Sequence, residues 1–298
     1  MQFFSVSKFD KSKYIPKNIK QISKFYPNFK YSVIVPTHEL DLFKKYFFDN
    51  SINDIQIIDE SYFIGLDDFK RIVSQYINSS KDMPSRIYLG WYYQLVLKIM
   101  YVIRNGVKEN ITMIDADAII LRKLNFFENN HSIVYKTNYE SNLNYKNACE
   151  DILNKFQRNW ESFTVQTFSI TTQEAVDLRS RLNKYLPQNS MNEGEWISHI
   201  LLRSIFKRHS NLNGSFLSEQ DLIGTSNIIS GSKINRSLKI LRSFVVGELS
   251  TTQEKIASLF GYSFINYEKW IMKKEKLNYL DFFIAITINN HFIHKFFK

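Results

Sequence analysis

The stretch Ile111 to Lys123, ITMIDADAIILRK, sets two aspartates one residue apart between two apolar runs. No other stretch limits the fold so strongly. An ionised carboxylate is almost never left inside a buried strand without a partner, because desolvating an unpaired charge is too costly. The pair therefore belongs at a strand's end, with ITMID as the strand and Asp115 emerging where the chain turns. In open α/β sheets, that end faces the ligand crevice. Two hard oxygen donors at i and i+2 can face one Mg²⁺ or Mn²⁺ and leave its other positions to substrate phosphates. The simpler alternative is a turn in which both aspartates cap the backbone or pair with Arg122 and Lys123, and the apolar flanks count against it.

The remaining segments supply the alternation that an α/β sheet needs. YSVIVP (Tyr31 to Pro36) is a short β-branched run expected to open the domain as its first buried strand, and DIQIID (Asp54 to Asp59) follows as a second. Beyond the aspartates, SIVYK (Ser132 to Lys136) and FTVQTFSI (Phe163 to Ile170) read as further strands. LGWYYQLVLKIMYVIR has apolar residues on nearly every face, so it is a helix expected to be largely buried. Gln94 and Lys98 stand four apart on one side of it. Thr171 with Glu174 forms a capping box that starts another helix, and TTQE recurs at Thr251 to Glu254. With 298 residues and 44% hydrophobic content, the chain can bury a full core. The expected organisation is an α/β catalytic domain over residues 1–230, its sheet flanked by helices on both faces. Residues 231–298 read as a helical, basic C-terminal extension packed on it.

Charge and cysteine content narrow the partners. Lys and Arg number 39 against 29 Asp and Glu, a formal charge of +10, which favours polyanions, anionic membrane surfaces or phosphorylated small molecules. A single cysteine, Cys149, excludes an internal disulfide framework and a cysteine-built zinc cluster, and fits a reducing compartment. The basic amino terminus has no apolar stretch long enough for a signal peptide, which gives a cytoplasmic expectation. DFFIAITI, Asp281 to Ile288, is far short of the roughly 20 residues that cross a bilayer. Its Lys- and Phe-rich surroundings suit either peripheral contact with an anionic inner membrane or an ordinary packed helix.

The segments GWYYQLVLKI, ITMIDADAIILRKL, WESFTVQTF and SEQDLIG, in this order, resemble the DUF6492-type family, a GT-A-like group of bacterial glycosyltransferases tied to surface polysaccharide genes. The resemblance runs from about Tyr31 to Asn227. It implies a GT-A-like, Rossmann-related fold with a mixed, mainly parallel sheet. It also implies transfer of a sugar from a nucleotide-sugar donor, UDP-linked, to a glycan or glycolipid acceptor. Asp115 and Asp117 would form the DxD element that holds Mn²⁺ or Mg²⁺, with Asp117 the more direct ligand. Thr37, His38 and Asp41 would line the nucleotide-base pocket, and Gln94 and Lys98 would contact the donor. Lys98 or Arg122 would add positive charge at the leaving diphosphate. Glu219 and Asp221 are the candidates for the acid/base role, although Asp221 stands where the family usually has a second glutamate. Both could equally be the acidic first turn of a helix capped by Ser218. Trp160 and Gln166 could line the sugar or acceptor site.

Two rival readings use the same residues. Haloacid-dehalogenase-like phosphatases also place DxD after an apolar strand, but their pattern continues differently at Ile119, and their strand opens the domain. A nucleic-acid-binding module would suit a basic chain with 17 Tyr and 25 Phe. Its basic residues, however, are spread along the whole length with no recognition motif, so no nucleic-acid partner is expected. Neither G-x-G-x-x-G nor a phosphate loop occurs.

Overall fold

The structure is a computed structural model that describes residues 1–77, 83–136, 142–155, 162–185, 192–235, 238–242, 249–267 and Phe282. Its centre is a five-stranded sheet built from β1 (Gln2–Val6), β2 (Lys30–Val35), β3 (Ile55–Asp59), β4 (Ile111–Ile114) and β8 (Thr167–Ile170). The strand order is β3-β2-β1-β4-β8. The first four run parallel, and β8 pairs antiparallel with β4. This is the mixed, mainly parallel sheet that the motif resemblance implies, and the α/β alternation of segments agrees with it.

The chain's first strand is not YSVIVP. QFFSV, within what reads as a basic lead-in, forms β1 at the sheet's centre, and all five of its residues are buried. A strand buried on both faces reads as a continuous apolar run rather than an alternating one. Here that run is only five residues long and is followed at once by lysines. Side chains alternate between the two faces, so Phe3 enters one core and Phe4 the other.

Helices cover both faces. On one side α1 (Tyr14–Phe25) and α2 (Leu40–Asp49) pack with Phe3, Val33 and Val35. On the other, α3 (Leu66–Ser74), α4 (Arg86–Tyr101), α5 (Leu143–Leu153), α6 (Thr172–Asn183) and α7 (Glu193–Phe206) enclose Phe4, Ile34 and Met113. The Phe4 ring stacks on Tyr101 of α4 at 4.1 Å. Cys149 of α5 lies within this second core, and burial pushes its thiol well above the usual value. Thr171 and Glu174 form the expected capping box at the start of α6.

The segment after residue 230 contains strands, where a helical extension was expected. β9 (Lys233–Asn235) pairs with β7 (His131–Tyr135), whose other neighbour is the short β6 (Phe127–Glu128). β10 (Ile240–Arg242) and β11 (Phe264–Asn266) build a second small sheet onto β5 (Ala118–Ile120), which follows the two aspartates. Between them stands α9 (Thr251–Leu259), capped by Ser250 and Gln253, one residue ahead of the Thr251/Glu254 pair read from the sequence. Asp281 to Ile288 and the basic residues around it lie outside the described residues apart from Phe282. Among the described residues, no helix is long and apolar enough to cross a membrane.

Candidate functional site

In the order β3-β2-β1-β4, the connections wind outward to either side of the boundary between β1 and β4. At such a reversal two strand ends diverge and leave a crevice outside their carboxyl termini. The residues after β1 and β4 therefore share an address: Ser7 to Lys11 on one side, Asp115 to Asp117 on the other.

Asp115 and Asp117 occupy a tight turn. Asp115 donates its N–H to the Gln166 carbonyl at 3.1 Å, and Ala118 donates back to the Asp115 carbonyl at 2.9 Å. Ser5 fixes the end of β4 from beneath, its hydroxyl bonding the Ile114 carbonyl at 2.6 Å. The Asp117 carbonyl accepts the N–H of Tyr267 at 2.8 Å, so the end of β11 closes over this turn.

Each aspartate is met by a lysine. Lys98, on the last turn of α4, lies 2.6 Å from Asp115 Oδ1 and 2.6 Å from Glu219 Oε1. Glu219 opens α8 (Glu219–Ile229), whose Ser218 cap accepts the Asp221 N–H at 3.2 Å. Desolvation works against the Lys98 ammonium, but Asp115 and then Glu219 outweigh it, and its pKa is held well above the ordinary lysine value. Gln220 donates to the second Asp115 oxygen at 3.3 Å. Lys11, from the turn after β1, reaches Asp117 Oδ2 at 2.7 Å and the Tyr267 carbonyl at 3.2 Å. Burial raises the Asp117 carboxyl above the usual range, opposed by Lys11 and reinforced by Asp115.

Three carboxylates (Asp115, Asp117, Glu219) thus meet two ammonium groups (Lys11, Lys98), which leaves one negative charge over when all are ionised. Asp115 and Asp117 suit a divalent cation as hard oxygen donors, although each already has an ammonium partner. Among the described residues no group of three His, Cys, Asp or Glu is arranged to hold a metal. A two-carboxylate site completed by substrate phosphates and water is nonetheless an ordinary way to bind Mg²⁺.

The other residues singled out from the sequence are distributed less tightly. Gln94 is half-buried on the Lys98 side of α4. Thr37 follows β2 and bonds Asp59 at 2.6 Å. The side chains of His38 and Asp41 are exposed, Asp41 beside Lys44 at 3.3 Å. Arg122 is turned to the Ser263 hydroxyl at 2.9 Å, where β11 begins. Asp221 gathers the segment before β8: it accepts from the Phe163 N–H at 2.9 Å and the Thr164 hydroxyl at 2.8 Å. Burial lifts its carboxyl to about 6 despite these bonds. Gln166 has φ of 65°, an uncommon left-handed conformation next to the aspartate turn. Trp160 lies outside the described residues.

Sequence reasoning missed Lys11, Lys8, Gln220 and Glu60. The lysines would have stood out once QFFSV was taken as a strand, since they follow its carboxyl end. Glu60, just past β3, is pushed to about 7 by burial and then by Asp59. A perturbed carboxyl at a strand's carboxyl end is a recognised mark of candidate functional sites.

Taken as a class, this is a mixed α/β protein with a carboxylate and lysine crevice at the reversal of its sheet. The chain belongs to the family DUF6492, a family of unknown function, whose model matches residues 18–211. Comparison with curated proteins finds no match. Among solved structures, the galactosyltransferase LgtC in complex with donor and acceptor sugar analogues is similar over 96% of this chain and 95% of its own, with TM-score 0.46 and 10% identity. The bifunctional glycosyltransferase WbbM in its apo form matches 99% of this chain and 51% of its own, with TM-score 0.46 and 11% identity. Mouse xyloside xylosyltransferase 1 in its apo form matches 90% and 98%, with TM-score 0.42 and 10% identity.

Proposed function

We propose that the protein is a GT-A-like glycosyltransferase that moves a sugar from a nucleoside-diphosphate donor to a hydroxyl of a glycan or glycolipid of the bacterial surface. The observation that carries this reading is the Asp-Ala-Asp turn at the carboxyl end of β4, facing the end of β1 across the sheet reversal. The +10 charge and the motif resemblance support it.

Glycosyl transfer places negative charge on the departing diphosphate, so the site needs cations held in advance. Asp115 and Asp117 would hold a divalent metal, which when bound supplies Lewis-acid stabilisation of that leaving group. Lys98 orients Asp115 through the pair it shares with Glu219, and Gln220 fixes the second oxygen of the same carboxylate. Lys11 pairs with Asp117 and holds that carboxylate in the turn. Glu219 and Asp221 act as positioning residues, the first through Lys98 and the second through the Ser162–Thr164 segment. Thr37, after β2, and Asp59, at the end of β3, would line the nucleoside.

A ligand that binds only the folded state stabilises it by RT ln(1 + [L]/Kd), about 2.7 kcal/mol at one hundred times Kd. Thermal unfolding with UDP, GDP, CMP and dTDP, each with Mn²⁺, Mg²⁺ or chelator, should show a metal-dependent rise for one nucleotide. Asp117→Ala should lose that rise while remaining folded. An undiminished rise in the folded variant would remove the aspartates from donor binding.

A further inference from the structure

The crevice holds a lysine that, among the described residues, no carboxylate engages. Lys8 lies two residues beyond β1 and is exposed. Its ammonium sits against α4 over Gly90, where a Cβ would stand 3.6 Å from Lys8 Nζ. Gly90, Gln94 and Lys98 recur at intervals of four and so share one side of α4. Lys98 marks which way that side faces, since its own ammonium touches Asp115. The wall of the crevice therefore reads, from its mouth inward, as the Lys8 ammonium over Gly90, the Gln94 amide, then Lys98 beside the aspartates. Gly90 and Lys98 are separated along the helix by about 12 Å.

The donors on this wall differ in what they already hold. Lys98 and Lys11 each bind carboxylates. Among the described residues, neither the Lys8 ammonium nor the Gln94 amide has a polar partner, although Gln94 is half-buried. A half-buried amide without a protein partner is satisfied by water or by a ligand. An unpaired ammonium and an unpaired amide on one helix face, beside a crevice at strand ends, make a complementary cradle for an anion.

We propose that Lys8 and Gln94 form an anion subsite that takes the diphosphate of the donor on the α4 side of the crevice. This rests on the nucleotide-sugar reading above and deepens it by naming residues that grip the phosphates without the aspartates. Gly90 serves the subsite by leaving room for the ammonium to lie on the helix. An alanine there meets it at ordinary contact distance, whereas a longer side chain takes its place.

The test is calorimetric titration of the full chain, at fixed ionic strength, with UDP, GDP, CDP, dTDP and their nucleosides. For the base that binds, Lys8→Met should weaken the diphosphate roughly tenfold or more, as the loss of a charge-assisted contact does. The nucleoside should change by less than about twofold, because it lacks the phosphates that Lys8 would hold. Lys8→Arg should recover most of the affinity, and Gly90→Leu should reproduce the loss. A Lys8→Met variant that binds the diphosphate as the parent does overturns the subsite and leaves the transferase reading intact. Should the parent bind no nucleoside diphosphate, that reading fails, and inorganic pyrophosphate becomes the probe. Pyrophosphate bound by the parent and lost in Lys8→Met upholds the anion subsite on its own, and its absence from the parent overturns it.

Discussion

Lys98 pairs with two carboxylates drawn from different elements, Asp115 after β4 and Glu219 at the start of α8. Removing one member of a buried ionic group strands the others, which is why such groups are sensitive out of proportion to their net contribution. Asp221, two residues on, shows the opposite economy: it is buried and hydrogen-bonded, yet no ammonium faces it in these contacts. Its folded pKa of about 6 lies above the ordinary carboxylate value, so the folded state binds this proton more tightly than the unfolded chain does. The associated stability is present below about pH 4 and is lost as pH rises through 6, a change of about 3 kcal/mol. Asp221→Asn should flatten that part of the profile, read as the difference between variant and parent urea midpoints from pH 4 to 7. Parallel profiles would show that the carboxyl titrates normally. At this scale the sequence reveals the aspartates, because acid between apolar runs demands a partner. It conceals their pairing with lysines, since Lys98 sits in a helix read as largely buried, and Lys11 follows β1, which lies in what reads as a basic lead-in.

Among the elements, α7 shows how closely the layers approach. Gly194, the second residue of α7, meets the turn after β3, and a Cβ there would stand 2.4 Å from the Phe63 carbonyl oxygen and 2.8 Å from Ile64 Cβ. Backbone cannot yield as a flexible side chain can, so Gly194→Ala should destabilise the fold by about 2–3 kcal/mol. A lowered denaturation midpoint with an unchanged m-value would record this, and an unchanged midpoint would contradict the contact. The turn it presses on carries Glu60 and receives the Tyr93 hydroxyl at the Ile64 carbonyl, 2.7 Å away, so the packing bears on the strand ends of the crevice. Elements such as β2, β3 and β4 are legible because their β-branched runs are bounded by Pro or Asp. The short strands after residue 230 are not, since three residues carry too little periodicity to tell a strand from a turn.

For the whole molecule, the later strands change what counts as a domain. Ala118, Ile119 and Ile120 of β5 are fully buried and pair edge to edge with β11, and Lys11 spans from the first strand's turn to Tyr267. A chain ending at Ser230 would expose that apolar strand and lose the β7–β9 pairing as well. Such a fragment should fail to fold cooperatively, judged by near-ultraviolet circular dichroism and the absence of a denaturant transition. A soluble, cooperatively folding fragment would contradict this expectation and support a boundary at residue 230. The placement of Cys149 bears on experiment in another way. Reagents attack the thiolate, and this thiol is both enclosed and held protonated. The native chain is accordingly a silent background for thiol chemistry, and one cysteine introduced at the exposed Ile87, a turn before Gly90, would be the position that takes a fluorophore. Its emission would then report occupancy of the crevice in real time, with no second site to subtract.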